Sequence, residues 1–432
     1  MLMLKSIEIK NVGPVELNVD FGSRLNIFTG DNGLGKSFLL DTVWYALTRK
    51  WPAETNPNLA SGFVGRPKTP RKLSEINFTL AQKNKVFPFK ALFNREKQNW
   101  ECSLDKHFNG NTQNDGIVIY ALADGSFCVW DPVRAFQFDD YNYYENRNTA
   151  FVFNSQEIWN GLKEREKYII NGLIADFCSW QDKKGFEYDC LLKLLEALSP
   201  PDFKLSIGEQ TRISINDSRN IPTIKMPYGN VPVLHASAAI RRILSIAYCI
   251  TWAFSEHIKA CKITGQKQTS QITFLIDEVE SHLHPSWQKK IMRALLLSIE
   301  TLLKNVKGNA QIIATTHSPL VMVSLEDFFD SYKDKWFDFD AEKKGIIHFT
   351  EREFVKLGTA DKWLVNEAFD MDDSRSVESS KLVKQINMEL SKDIVDKVKV
   401  KKIYDKLVQK VSPHDEDLYV IRYKCIKKGV IE

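Results

Sequence analysis

Leu25-Asn26-Ile27-Phe28-Thr29, followed at once by Gly30-Asp31-Asn32-Gly33-Leu34-Gly35-Lys36-Ser37, is the stretch that decides the fold. The first five residues form an apolar run of strand type. The next eight satisfy GxxxxGK[ST] at every fixed position. Residues 38–48 then place Leu39, Leu40, Val43, Trp44 and Leu47 at helical spacing. Strand, glycine-rich turn and helix in this order build a cradle for phosphate. The glycines let successive backbone N–H groups turn inward, and the start of the helix adds its dipole. The pattern assigns nucleotide contacts to Gly30, Asp31, Asn32, Gly33, Leu34, Gly35, Lys36, Ser37 and Phe38. Lys36 is expected on the β- and γ-phosphates and the Ser37 hydroxyl on Mg²⁺.

Two further strands carry chemistry at their ends. Thr273-Phe274-Leu275-Ile276 runs into Asp277-Glu278. A carboxylate at the strand end, Asp277, can reach the metal directly or through water. Glu278 points elsewhere and can polarise the attacking water as general base. Residues 311–315 form a strand ending in Thr316-His317-Ser318-Pro319. In a parallel sheet that end shares an edge with the phosphate loop. His317 can there contact the γ-phosphate or hold the water. The expected catalytic set is thus Lys36, Glu278 and His317, the expected metal ligands are Ser37 and Asp277, and the expected cofactors are ATP and Mg²⁺.

Composition narrows the class. The 432 residues are 43% hydrophobic and 26% charged, ordinary for a globular protein. The 26 Phe, 10 Trp and 13 Tyr exclude a mainly disordered chain. Lys and Arg exceed Asp and Glu by 59 to 55, a net charge of +4, so wholesale electrostatic binding of nucleic acid is not indicated. The longest apolar candidate, residues 243–254, falls short of the roughly 20 residues that span a bilayer. No cleavable signal pattern opens the chain. The seven cysteines are scattered without a CxxC pair, as reduced structural thiols are, and the expected location is cytoplasmic.

Periodicity gives the remaining elements. Strands are expected at 4–10, 76–80, 87–93 and 117–121, and a surface loop over 51–72. Residues 158–180 and 188–199 carry helical periodicity, and short strands follow near Leu205 and Ile224. A strongly apolar helix occupies 232–256, another runs over 286–303, and the tail from 351 is helical and Lys-rich.

Together, GDNGLGKS, FLIDE and ATTHSP resemble the ABC-type ATPase superfamily, in particular its compact RecF-, SMC- and OLD-like branch. The opening IEIKNVGPVELNVDF is similar to that branch's first hairpin, and DEVESHLHPSWQ to its DEPE-x-x-LHP block. The resemblance covers residues 1–48 and 230–320. It implies an α/β fold: a P-loop ATPase head with a parallel or mixed sheet core, an antiparallel N-terminal β subdomain and a helical insert. The implied divisions are lobe one at 1–156, an insert or lid at 157–231, lobe two at 232–350 and a helical extension at 351–432.

In this superfamily two subunits sandwich two ATPs, and a signature helix of each completes the other's site. Set against LS-x-GE-x-R-x-L, Ser237 matches the phosphate-binding serine. Ala239 stands where glycine is usual and Ile240 where glutamate or glutamine is usual. Arg241 and Arg242 are either trans contacts or solvated. Gln156 is the candidate for the glutamine that approaches the metal. The 240 residues from Ser37 to Asp277 leave room for a compact arm, not for a long coiled coil, and no heptad run is present.

Weaker patterns are set aside. His282 and His284 beside Glu278 and Glu280 are explained by the LHP block, with Pro285 opening a helix. Asp370, Asp372 and Asp373 lack the further βα units that a nuclease domain of the Toprim type needs. The tyrosines 141, 143 and 144 read as a packed loop rather than a base-stacking patch. The seven Lys of 392–410 read as a solvated helix face, with contact to DNA or a partner as the alternative.

The resemblance therefore implies an ATP hydrolase that forms a homodimer or higher homo-oligomer. It would control a separately encoded effector, a nuclease or toxin, as stand-alone members of the branch in bacterial anti-phage operons do. The alternatives are a RecF-like DNA maintenance ATPase and a non-hydrolysing nucleotide-dependent scaffold. A membrane transporter subunit fits the signature and insert poorly.

Overall fold

The computed structural model describes residues 2–82, 85–102, 114–134, 150–164, 166–200, 203–341, 347–366, 368–369, 371, 373 and 375–432. Tyr141, Tyr143, Tyr144, Asp370 and Asp372 lie outside the described residues. The chain divides into two compact units, Met1–Gly358 and Thr359–Glu432.

The first unit begins with β1 (Leu2–Lys10), β2 (Leu17–Asp20), β3 (Leu25–Gly30), α1 (Lys36–Thr48) and α2 (Pro52–Thr55). Next come β4 (Glu75–Gln82), β5 (Lys85–Asn94), β6 (Asn99–Cys102), β7 (Ile117–Ala121), β8 (Phe127–Trp130) and β9 (Ala150–Phe153). The insert holds α3 (Glu157–Asn160), β10 (Leu162–Glu164), β11 (Lys167–Ile170), α4 (Leu173–Lys183), α5 (Phe186–Leu198), β12 (Ser206–Ile207), β13 (Thr223–Met226) and β14 (Gly229–Pro232). The unit closes with α6 (Ala238–Thr264), β15 (Gln271–Ile276), α7 (Pro285–Gln288), α8 (Ile291–Leu303), β16 (Asn309–Thr315), α9 (Pro319–Leu325), β17 (Lys335–Ala341) and β18 (Ile347–Arg352).

Among the described residues, two sheets organise this α/β unit. One is antiparallel, in the order β2-β1-β4-β5-β6. The other has the order β18-β17-β3-β16-β15-β7-β8-β9. In it β17, β3, β16, β15 and β7 run parallel, and β18, β8 and β9 add antiparallel edges. Strands β3, β7 and β15 are buried along their whole length and are mainly apolar, as central strands are.

The apolar spacing of α1 suggests a single buried face, yet the helix is enclosed. Leu39, Leu40, Val43, Trp44, Tyr45, Ala46 and Leu47 are all buried. Trp44 meets Tyr120 of the mixed sheet with ring centroids 6.3 Å apart, and Tyr45 meets Trp100 of the antiparallel sheet at 6.0 Å. The helix that follows the phosphate loop is therefore clamped from both sides.

The structure corrects several local expectations. The helix expected over 232–256 starts at Ala238 and runs to Thr264, and the loop expected over 51–72 holds the short α2. The helical periodicity over 158–180 resolves into a short helix, a β10–β11 hairpin and α4. Gly161 and Gly172, at φ 94° and 85°, break the pattern at each end of the hairpin. The helix expected over 286–303 is two, α7 and α8, with Lys289 and Lys290 between them. The extension expected from 351 begins later: β18 runs to Arg352, and the division falls after Gly358. The second unit holds α10 (Ala360–Leu364), α11 (Val377–Leu390), α12 (Lys397–Lys410) and α13 (Glu416–Lys427). It has its own core, with Ile386, Leu390, Val400, Leu407, Leu418 and Ile421 buried together. No described helix is long and apolar enough to cross a membrane.

Candidate active site

The parallel strands all point one way, so their carboxyl ends share an edge of the sheet. There β3 delivers Gly30 and the phosphate loop, β15 delivers Asp277 and Glu278, and β16, between them, delivers Thr316 and His317.

The loop needs its glycines. Gly30, Gly33 and Gly35 have φ of 118°, 79° and 97°, which L side chains rarely adopt. A Cβ on Gly30 would also lie 2.2 Å from the Phe339 carbonyl oxygen on neighbouring β17. Gly35 is the N-cap of α1, and no side chain caps that helix, so its first N–H groups remain for a ligand. The buried Lys36 folds over the loop, where Nζ donates to the carbonyls of Gly30 at 2.8 Å and Asp31 at 2.7 Å. Burial pushes its pKa down to about 8, against the pull of Asp277, Asp31, Glu278 and Glu280. A cation desolvated among four carboxylates, above a cradle of left-handed glycines, fits the phosphates of a nucleotide.

The acidic strand end is tied to the next strand by one hydroxyl. Thr315 Oγ1 donates to Asp277 Oδ1 at 2.6 Å and accepts from the Glu278 N–H at 2.8 Å. The Asp277 N–H is held by the Ala121 carbonyl at 2.9 Å. Asp277 is buried, while Glu278 is half-buried and left-handed at φ 46°, so the backbone turns between the two carboxylates. Two residues on, Glu280 anchors the histidine loop. Its Oε2 accepts from Thr316 Oγ1 at 2.7 Å and its Oε1 from the His317 N–H at 2.5 Å. Burial raises the Glu280 pKa. Burial, followed by the charge of Lys36, holds the His317 imidazole below its usual range. The Gly30 backbone is a hydrogen-bond partner of His317.

The structure thus brings Lys36, Asp277, Glu278 and His317 together, with Gly30 and Asp31 beneath them. Thr315 and Glu280 were not singled out for this role from the sequence. Their only signal was adjacency, Thr315 two positions before the histidine and Glu280 two after the second acid.

The signature-like segment opens α6, and its Arg242 lies within electrostatic reach of Asp277 and Glu278. Ser237 is the exposed N-cap of α6, and its hydroxyl accepts from the Ile240 N–H at 3.4 Å. Ala239 is half-buried. Ile240, where the family places an acidic or amide side chain, is buried in the core. Arg241 is exposed, and Arg242 is buried. Gln156, at the start of α3, lines a cavity with Ala238 and Arg242.

One buried polar group lies at the amino end of β15, the opposite edge of the sheet, and another adjoins the acidic strand end. His257 is fully buried, with Nδ1 2.9 Å from Asp131 Oδ1 and the Cys261 sulfur 3.4 Å from Nε2. The order resembles a nucleophilic triad, but Nε2 accepts the Thr269 N–H at 2.9 Å and burial pushes the thiol up to about 11. The group locks the end of α6. Asp41, one turn beyond Ser37, accepts from the Tyr120 hydroxyl at 3.0 Å, and burial lifts its pKa to about 8. An unfolded aspartate loses its proton near 3.9. The folded chain therefore holds an extra proton across that window, and stability falls as pH rises from about 4 to about 8. Asp41→Asn is expected to remove this slope, so that its melting point exceeds the parent's at pH 8.5 and the gap closes at pH 5. An equal gap at both pH values would refute it.

Comparison with known proteins gives matches over both halves of the site. A family model described as an AAA domain matches residues 6–183. Another, described as AAA domain, putative AbiEii toxin, Type IV TA system, matches residues 229–324. The Septu protein PtuA of Bacillus thuringiensis is 25% identical over 330 residues, 74% of this chain and 72% of its own length. A DNA replication and repair protein RecF of Pediococcus pentosaceus is 25% identical over 175 residues, 39% of this chain and 44% of that one. Among solved structures, an SMC head domain from Thermotoga maritima aligns over 81% of this chain and 99% of its own, with 14% identity and a TM-score of 0.39.

Proposed function

We propose that this chain, a compact ABC-type ATPase of the RecF- and SMC-like branch, is a Mg²⁺-dependent ATP hydrolase that closes as a sandwich dimer and controls a separately encoded effector. The observation that carries the hydrolase reading is the Thr315 hydroxyl, which fixes Asp277 and the Glu278 backbone at once. Residues Gly30 to Phe38 would wrap the phosphates, with Lys36 leaving the loop carbonyls for phosphate oxygens. Ser37 and Asp277 would hold Mg²⁺, which when bound neutralises charge on the phosphates. Glu278 then takes the proton of the attacking water, and His317 orients the terminal phosphate or that water. Ser237 of a second copy would close the site. Ala239 puts a Cβ where that copy meets the phosphate, which weakens recognition without removing the helix N-terminus.

The test is phosphate release from ATP by the purified chain, expected with Mg²⁺ and lost on adding EDTA. In the same assay Glu280→Ala should lower kcat by about tenfold, the scale of one hydrogen bond to a charged group, because the His317 loop loses its anchor. KM should change less than kcat, since the Glu280 carboxylate bonds to Thr316 and His317 and acts on Lys36 only through its charge. A changed KM with an intact kcat would contradict the anchoring role.

An anti-phage setting, in the bacterial cytoplasm, is supported by the alignment with the Septu protein PtuA along most of both chains. The effector reading predicts that deleting a neighbouring gene abolishes protection while ATP turnover by this chain persists. Direct DNA binding of the RecF kind is the second reading. It is favoured by the RecF alignment and by the exposed Lys397, Lys401, Lys402 and Lys406 of α12. Lys399 and Lys410 of the same helix are paired with Glu389 and Glu378.

A further inference from the structure

The last helix of the second unit is apolar on two sides. Leu418, Ile421 and Cys425 of α13 are buried in that unit's core. On the opposite side Tyr419, Val420, Tyr423 and Ile426 are 45% to 67% exposed. At 3.6 residues per turn these four share one stripe. Single exposed apolar side chains are ordinary on a protein surface, but a contiguous stripe marks a contact. A helix with apolar residues on both sides is one that is covered on both sides.

The charges of the stripe say what covers it. Glu416 closes it at the amino end and Lys427 at the carboxyl end. Both are exposed, and neither has an ion-pair partner among the described residues. Their charged neighbours are occupied within the unit: Arg375 pairs with Asp415 and Asp417, each at 2.8 Å, and Lys424 donates to Asn387 Oδ1 at 3.3 Å. Nucleic acid, or an acidic protein segment, would ask for cations along the stripe. Instead it carries one acid and one base at opposite ends, with apolar side chains between. A reversed copy of the same helix answers that pattern. Turned antiparallel about its midpoint, between Ile421 and Arg422, α13 sets Glu416 opposite the partner's Lys427 and Val420 opposite the partner's Tyr423. A two-fold axis makes each of these contacts occur twice.

We propose that α13 pairs antiparallel with the α13 of a second copy of this chain. The contact forms without nucleotide and is separate from closure through α6. One helix face is smaller than a standard interface, so the pairing is weak and dissociates at the low concentrations at which nucleotide-dependent closure is read.

The experiment follows the full chain carrying Lys36→Ala, which cripples the phosphate loop, by sedimentation velocity without nucleotide over a concentration series. A reversible dimer is expected. Tyr423→Asp, which puts a charge at the centre of the stripe, should abolish it. Glu416→Lys and Lys427→Glu should each weaken it by about tenfold, since either change sets like charges together at both ends. Combined in one chain, the two swaps restore opposite charges, and the dimer should return to its original strength. That rescue guards against misfolding, because a chain damaged by one swap is not repaired by the other. A monomer at every concentration overturns the proposal, as does a dimer unmoved by Tyr423→Asp or by the single swaps. Failure of the combined swaps to restore the dimer also overturns it. So does DNA binding by the monomer that is lost with Tyr423→Asp, which would give the stripe to nucleic acid.

Discussion

Glu278→Gln is expected to bind ATP as the parent chain does and to hydrolyse it at least about 10²-fold more slowly, the scale of lost general-base help. The substitution is nearly isosteric. The Glu278 N–H to Thr315 bond belongs to the backbone and survives it, so the bend at φ 46° should be kept. Asp277, whose Oδ1 is held by Thr315, is untouched, and the metal shell with it. What changes is the capacity of the side chain to accept a proton. Single-turnover kinetics with radiolabelled ATP separate the two stages: binding should be unaffected and cleavage slowed. Cleavage at the parent rate would remove Glu278 from the role of base.

Ser237→Arg is expected to prevent the proposed nucleotide-dependent dimer and, with it, nearly all turnover. Ser237 is exposed at the N-terminus of a 27-residue helix, where an incoming phosphate would meet the helix dipole. An arginine there places a long side chain and a positive charge against the Lys36 of a facing copy. The lost cap to the Ile240 N–H costs about 1 kcal/mol, small enough for the chain to remain folded. Ser237→Ala is the control, since it loses the same cap without adding bulk. Sedimentation velocity of Glu278→Gln with ATP should show a dimer, Ser237→Ala in that background a weakened dimer, and Ser237→Arg a monomer. A dimer that persists with arginine at this position would refute closure through α6.

That the candidate residues meet at one sheet edge was largely legible in the sequence because each motif is local. Each of the three strand ends announces itself within ten residues: the loop by its glycines and lysine, the acids by an apolar run, the histidine by the THSP turn. What joins them is not local. Thr315 and Glu280 matter through bonds to residues 36 to 38 positions away, and nothing in their immediate neighbours marks them. The insert was misread for a different reason. In residues 158–171 short apolar clusters fit a helix as well as a hairpin, and Gly161 and Gly172 decided for the hairpin through backbone conformation alone. Likewise α1 shows an apolar stripe in one dimension, but its enclosure depends on a second sheet assembled from β1, β4 and β5.

The placement of β3 sets a clock for synthesis. This strand is complete at residue 30, but its two neighbours in the sheet, β16 and β17, end at residues 315 and 341. At about 5–20 residues per second, a ribosome needs roughly 15–60 s to deliver the second neighbour after the phosphate loop has emerged. Until then the loop has a helix behind it and no sheet on either side. A nascent or truncated chain therefore carries the full phosphate-loop sequence without the strand ends that face it, and the candidate site can assemble only after nearly the whole first unit has been translated.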